Sequence, residues 1–396
     1  MGESGDRPGA RVVEQAGELR SARLESLRAV AALAVLVGHV FGQAHGYRAE
    51  ETLGTLGDRI LLGGGFGVFL FFILSGYLLF WPFARRDYDG GPPIDLGRYA
   101  RNRALRILPL YYVVLVVVLI FTESGGTANQ WLTWATFSEN FTTDRSDVVE
   151  VNGVMWSLVI EIHFYILLPL VAYGLARLAR GSLARAAALL GAVGLASFVL
   201  RYITLYDDAG PISPLVDYSL PSTFMFFAAG MLVALLRIAW QRNPPAFIRG
   251  PLASAELWIA ASAVLWLLLF DEYSRGWLAA PASALLVGAC VLPLRPGPVI
   301  RLLEWKALAF VGVISYSLYL WHVPILEQLG ETSWEPESFP GLLLLGLPLS
   351  LLVAALSYRF VETPFLKLRR RWGATAARPA SEEEPPRRQA AAYEGG

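Results

Sequence analysis

Arg28 and His39 lie eleven residues apart in the first long apolar stretch, Arg28-AVAALAVLVG-His39. In an α-helix, eleven steps of ~100° return to within ~20° of the same face after a rise of ~16 Å. Ionisable groups at membrane depth are costly and mark functional sites. A histidine held away from bulk water is neutral, which keeps one ring nitrogen able to accept a proton. That suits a general base acting on a hydroxyl. Arg28, with Glu25 one turn before it, would supply positive charge at the inner end. The same residues also fit a snorkelling arginine and a histidine bonded to a neighbouring helix, and spacing alone leaves both readings open.

Four further polar groups interrupt apolar sequence. Arg98, Arg101 and Arg106 follow approximate helical spacing, with Arg103 one turn before Arg106. Such arginines hold phosphates through paired N–H donors, or form a basic patch against anionic lipid. Glu161 is a carboxylate in an apolar helix and must be paired, protonated or facing water. His163 follows about 200° around that helix, in different surroundings. Tyr316, Tyr319, Trp321 and His322 read as an interfacial belt, and Glu362 as a surface carboxylate with an ionic partner among nearby basic residues. Ser75-Gly76 reads as a place of close helix packing.

These groups need a membrane scaffold. Hydrophobic residues make up 55% of the chain and charged ones 17%, against roughly 25% charged in soluble domains. About ten apolar runs of near-spanning length occur, near 27–43, 61–83, 107–122, 153–175, 186–205, 220–238, 254–270, 277–294, 308–326 and 341–358. The fold expected is an all-α polytopic membrane protein with about ten transmembrane helices. All but five of the 33 Lys and Arg (Arg48, Arg59, Arg145, Arg201, Arg275) fall in the N-terminal segment, in alternate loops or in the C-terminal segment. The positive-inside rule then puts both termini in the cytoplasm. The opposite face is acidic and aromatic, with Glu123, Glu139, Asp144, Asp147 and Glu150 around Trp131 and Trp134. It would either receive a sugar-bearing acceptor or stand as a solvated loop with interfacial anchors.

Residues 1–22 are expected to be an unstructured cytoplasmic tail, 23–368 the membrane domain, and 369–396 a basic, then Ala/Pro/Glu-rich tail without order. No cleavable signal is evident, so the first helix is expected to stay as an anchor. The single cysteine, Cys290, excludes an intramolecular disulfide and a cysteine metal site. No metal site is expected, and no nucleic-acid partner. No internal repeat is visible, which weighs against transporters built from duplicated halves.

Taken in order, the motifs resemble the acyltransferase 3 family of integral membrane acyltransferases, which modify sugars, antibiotics and envelope glycans. The series runs from Arg28/His39 through Gly67-VFLFFIL-Ser75-Gly76-Tyr77 to Arg103-x-x-Arg106-Ile-Leu-Pro109. It continues with Trp156-Ser157-Leu158-x-x-Glu161-x-x-Phe164-Tyr165, Ser315-Tyr316-Ser317-Leu318-Tyr319-Leu320-Trp321-His322 and Glu362-x-Pro364, and the likeness covers about residues 23–368. It implies that His39 is the catalytic histidine, Arg28 its essential companion and Glu161 the acidic position of the Trp-Ser-Leu motif. Arg103 and Arg106, with Arg101, would contribute to acyl-donor binding. Ser75, Tyr77, Trp156, Ser157, Tyr165, Tyr319, His322 and Glu362 would be supporting residues. The family's commoner Glu-Glu-Gln-Phe-Tyr becomes Glu161-Ile162-His163-Phe164-Tyr165 here, which removes a second carboxylate. The chain ends soon after Glu362, so transfer within the membrane domain is expected, without a C-terminal hydrolase-like domain.

The expectation is therefore O-acyl transfer in a bacterial cytoplasmic membrane. Acyl-CoA would be the co-substrate, with no permanently bound cofactor, and the acceptor a hydroxyl of a sugar, envelope glycan or glycosylated product. His39 would take the hydroxyl proton or carry the acyl group, and Glu161 would orient His39 or the acceptor. A transporter or flippase using the same polar line is the alternative; a non-catalytic membrane partner is a third class.

Overall fold

The computed structural model describes residues 8–45, 55–122, 125–206, 214–246, 250–332 and 338–374, and contains no strand among them. The chain begins with α1 (Pro8–His45), the short α2 (Leu56–Leu62), α3 (Gly67–Tyr88) and α4 (Leu96–Phe121). Two short helices, α5 (Ala128–Ala135) and α6 (Arg145–Val149), precede α7 (Trp156–Ala179) and α8 (Leu183–Tyr206). Then come the single turn α9 (Pro214–Asp217), α10 (Leu220–Arg242), α11 (Ala255–Asp271), α12 (Ala279–Val291) and the short α13 (Pro298–Leu302). α14 (Lys306–Val313), α15 (Ser315–Gly330), α16 (Phe339–Ser357) and α17 (Thr363–Ala374) complete the order.

Eight helical segments among the described residues are long and apolar enough to cross a bilayer, and a ninth if α14 and α15 count as one span bent by 67°. The protein is an all-α polytopic membrane protein, with eight or nine candidate spans where the apolar runs suggested ten. α11 has 17 residues, a rise of ~26 Å against a hydrocarbon core of ~30 Å. The run over 308–326 is broken at Ile314, which hydropathy averaging does not register. Helix also extends into the expected N-terminal tail, because the segment after Pro8 is rich in helix formers and contains no further proline. At the other end α17 carries the basic stretch to Ala374. Arg48, Glu123 and residues 375–396 lie outside the described residues.

Close helix approach sets the frame. α3 crosses α10 at Gly76 and Gly230, where an added Cβ would run into the backbone carbonyls of Phe227 and Ile73. Stacked rings fill the crossing, with Phe69 on Phe226 at 4.0 Å, and Phe227 on Phe164 at 4.1 Å and on Phe72 at 4.8 Å. Gly312 of α14 rests on the backbone of Glu25 in α1. Asp95 caps α4 by accepting from Arg98 N at 2.9 Å, a contribution of about 1 kcal/mol.

Two prolines shape the helices that carry polar side chains. Pro169 has no N–H to give the Tyr165 carbonyl, and the Tyr99 hydroxyl donates to it instead at 3.0 Å. Pro324 likewise frees the Leu320 carbonyl, which accepts from Asn152 Nδ2 at 3.1 Å. In a bilayer, freed backbone groups need such internal partners. Ion pairs join the basic segments across the fold. Arg23 pairs with Glu304 at 2.6 Å and Arg242 with Asp89 at 3.6 Å.

Candidate active site

His39 and His322 face each other. Their rings are 5.0 Å apart at 71°, and His322 Nε2 is 3.4 Å from His39 Nδ1. His322 Nδ1 lies 2.8 Å from the Tyr319 carbonyl and 3.2 Å from that of Leu318. A carbonyl only accepts, so His322 Nδ1 carries the hydrogen and its Nε2 holds a lone pair. By the same reasoning His39 Nδ1–H donates to the Val35 carbonyl at 2.8 Å, and at longer range to His322 Nε2. The lone pair of His39 then sits on Nε2. His322 is 1% exposed, so it is a buried partner, not the interfacial belt residue that its aromatic neighbours suggested.

His39 opens on a cavity of about 750 Å³. Tyr319, Trp156, Tyr218, Arg145, Arg201 and Asp217 supply most of the polar and aromatic wall. Trp156 and Tyr218 stand 4.8 Å apart at 50°, and Arg145 lies over the Tyr218 ring at 5.6 Å. Arg201 is paired with Asp217 at 3.2 Å. The roles of Arg145 and Arg201 were not foreseen from sequence, where they counted only as exceptions to the charge asymmetry.

A second polar group lies between α3, α7 and α15. The Ser75 hydroxyl donates to Glu161, and Tyr165 lies within electrostatic reach of the same carboxylate. Ser157, one turn before Glu161 on α7, is bonded to the Tyr319 hydroxyl at 2.8 Å. Glu161 is thus engaged by Ser75, where a bond orienting His39 was one expectation; the group against His39 is an imidazole. Ser75-Gly76 does two jobs, since Gly76 packs while Ser75 bonds. His163 turns away to a half-buried position against Phe141 at 5.5 Å, as its 200° offset implied.

The arginine pair is divided. Arg106 makes a 2.5 Å ion pair with Glu362, whose other oxygen accepts from Ser317 at 2.5 Å. Arg106 also lies over the Tyr316 ring at 5.8 Å. Glu362 is 3% exposed and closes a π-helical turn, Tyr358–Glu362, so the expected surface carboxylate is buried. Helix α16 does not stop before it but runs through that turn into α17. Arg103 instead lines a separate, mostly apolar cavity of about 380 Å³ between α4 and α7, with Tyr99 and Tyr165. Its buried Nε makes no hydrogen bond among the described residues. The same holds for Arg28 Nε, which has only a loose ion pair with Glu25 at 3.9 Å. Arg28 lies within electrostatic reach of both Tyr165 and Glu362.

Two expectations about loops are corrected. Glu139 and Trp134, placed on the acidic outer face, are each 1% exposed. The Tyr111 hydroxyl donates to the Trp134 carbonyl at 2.8 Å and to Glu139 at 3.3 Å. Burial pushes the Glu139 carboxyl up to about 8. Asp144 is a solvated cap whose hydrogen bonds from Ser146 hold its carboxyl below the usual range. Arg237, counted among basic loop residues, is buried, donates to the Tyr77 hydroxyl and lies 4.1 Å over the Trp81 ring. Its place inside the apolar run 220–238 was the signal that could have found it.

The chain is 25% identical over 372 residues to O-acetyltransferase OatA of Staphylococcus aureus (strain NCTC 8325 / PS 47), covering 87% of this chain and 57% of that protein. It is 26% identical over 376 residues to the putative O-acetyltransferase SACOL0978 of S. aureus strain COL, with the same shares covered. The chain therefore spans little more than half the length of these curated relatives. No solved structure matches it. The family model described as an acyltransferase domain, acyltransferase 3, matches residues 21–359. Matched over nearly all of its membrane region, this chain belongs to the acyltransferase 3 family.

Proposed function

We propose that the protein is an acyl-CoA-dependent O-acyltransferase of a bacterial cytoplasmic membrane, with both termini inside. The acyl group is acetyl and the acceptor a hydroxyl of a sugar or envelope glycan. The observation that carries this reading is His39, its Nδ1 committed to the Val35 carbonyl, on the wall of a cavity shared with Trp156, Tyr218 and the Arg201–Asp217 pair. Aromatic faces with fixed charged groups suit a sugar ring and its hydroxyls. The names of the relatives point to acetyl transfer.

In this reading His39 Nε2 takes the proton of the acceptor hydroxyl as its oxygen attacks the thioester carbonyl. The C–S bond breaks, the thiolate leaves, and the imidazolium returns the proton to sulfur. The products are the O-acyl sugar and free CoA thiol, and no further reactant is needed. Arg28 and Arg103 have buried guanidinium nitrogens without hydrogen-bond partners among the described residues, which suits the phosphates of the donor. Arg28 begins the rise of ~16 Å to His39, a gap for the pantetheine arm to span. Glu161, held by Ser75, keeps α3 and α7 in register beside that route.

The test uses membrane vesicles from expressing cells, supplied with radiolabelled acetyl-CoA. Base-labile label in the glycan fraction is expected, with equivalent release of CoA thiol. Movement of glycan with no acetyl-CoA consumed would favour a transporter and contradict the proposal.

A further inference from the structure

We propose that His322 is a positioning residue for His39, receiving the His39 Nδ1–H on its own Nε2 and so reserving His39 Nε2 for the cavity. This rests on the reading of His39 as the base.

The geometry fixes the roles of all four ring nitrogens. His322 Nδ1–H is committed to the Tyr319 and Leu318 carbonyls at 2.8 and 3.2 Å, so Nε2 can only accept. That lone pair stands 3.4 Å from His39 Nδ1. The Val35 carbonyl alone is a weak guide, because it also belongs to the backbone ladder of α1. His322 supplies a second acceptor on the same side, and its ring packs edge-on at 71°. A flip of the His39 ring, or a shift of its proton to Nε2, would forfeit both bonds.

The turn carrying His322 is held unusually firmly. Ser317 donates to Glu362 at 2.5 Å, and the Tyr319 hydroxyl is bonded to Ser157 at 2.8 Å. The Leu320 carbonyl accepts from Asn152 at 3.1 Å, and Trp321 Nε1 donates to Ser357 at 3.0 Å. Four residues within one stretch of five are thus tied to other parts of the fold. A partner meant to hold a base in one tautomer must itself be fixed, and His322 is.

An imidazole also suits this depth better than a carboxylate. It brings no net charge into the bilayer while the site rests. Once His39 accepts a proton, its Nδ1–H becomes a cationic donor, and the bond to His322 Nε2 strengthens at that moment. The contact therefore favours the proton-accepting step more than the resting state.

The test separates positioning from packing. Gln reaches the position of His322 Nε2 with an acceptor oxygen, whereas Asn reaches only the Nδ1 position. H322Q is expected to keep transfer of label from acetyl-CoA within roughly threefold of the native rate. H322N and H322A should lower kcat by at least about tenfold, with KM for acetyl-CoA unchanged and native thermal stability in detergent. Equal activity of H322N and H322Q would overturn the proposal. So would equal loss in all three folded variants, which would mark shape and not the acceptor as the requirement. Native protein that transfers no label would overturn the functional reading and this inference with it. H39A, inactive beside active native protein, identifies the base independently of His322.

Discussion

Arg106 Nη1 and Glu362 Oε2 stand 2.5 Å apart, joining α4 to the π-helical turn after α16 across 256 positions of sequence. Both oxygens of the carboxylate are taken, because Ser317 holds the other. Removing one partner of a buried pair leaves an uncompensated charge, at a cost of about 3–5 kcal/mol. R106A and E362A should each lower the unfolding temperature in detergent, and the double variant should lose less than the two losses added. R106A that unfolds normally yet binds acetyl-CoA poorly would instead assign Arg106 to the donor.

Arg103 is placed differently. Its Nε has no hydrogen-bond partner among the described residues and it borders a cavity. R103A should leave stability unchanged and raise KM for acetyl-CoA roughly tenfold, the scale of one charge-assisted hydrogen bond. A fall in kcat alone would contradict a donor-binding role.

The contrast between these two arginines shows where sequence was sufficient. The helices were legible because ten apolar runs cannot be hidden, and ionisable residues inside them stood out by cost alone. Arg28, His39 and Glu161 were found that way. Their partners were not, since nothing in the spacing of Arg103 and Arg106 says that one faces a cavity and the other Glu362. The break at Ile314 escaped for a related reason: hydropathy averages over a window, while a bend depends on close contacts such as Gly312 on Glu25. Buried loop residues such as Glu139 are invisible to a rule that equates charge with exposure.

Asn152 and Pro324 are linked through a carbonyl that neither owns. N152A leaves the Leu320 oxygen unsatisfied and should cost about 1–3 kcal/mol. P324A restores an N–H to that oxygen, so N152A/P324A should recover part of the loss. Thermal unfolding of the four proteins checks this. Purely additive losses would show that the two do not share the Leu320 carbonyl.

Glu139 gives a pH dependence with a definite sign. Its carboxyl is raised to about 8 from 4.5, so the folded state binds the proton more tightly than the unfolded state. Stability should be highest below about pH 4.5, fall as pH rises towards 8, and level off beyond, by an amount on the order of a few kcal/mol. E139Q should remove this component, as seen in unfolding midpoints from pH 5 to 8.5. An unchanged slope in E139Q would assign it elsewhere.

At the centre stands His39 as the group that performs the proton transfer. Its most direct measurement is transfer of label from acetyl-CoA to glycan by H39A, in vesicles where the variant is inserted and as stable as the native protein. Loss of transfer by at least about 10²-fold is expected, the scale of general-base catalysis, with acetyl-CoA still bound. Transfer at the native rate would contradict it.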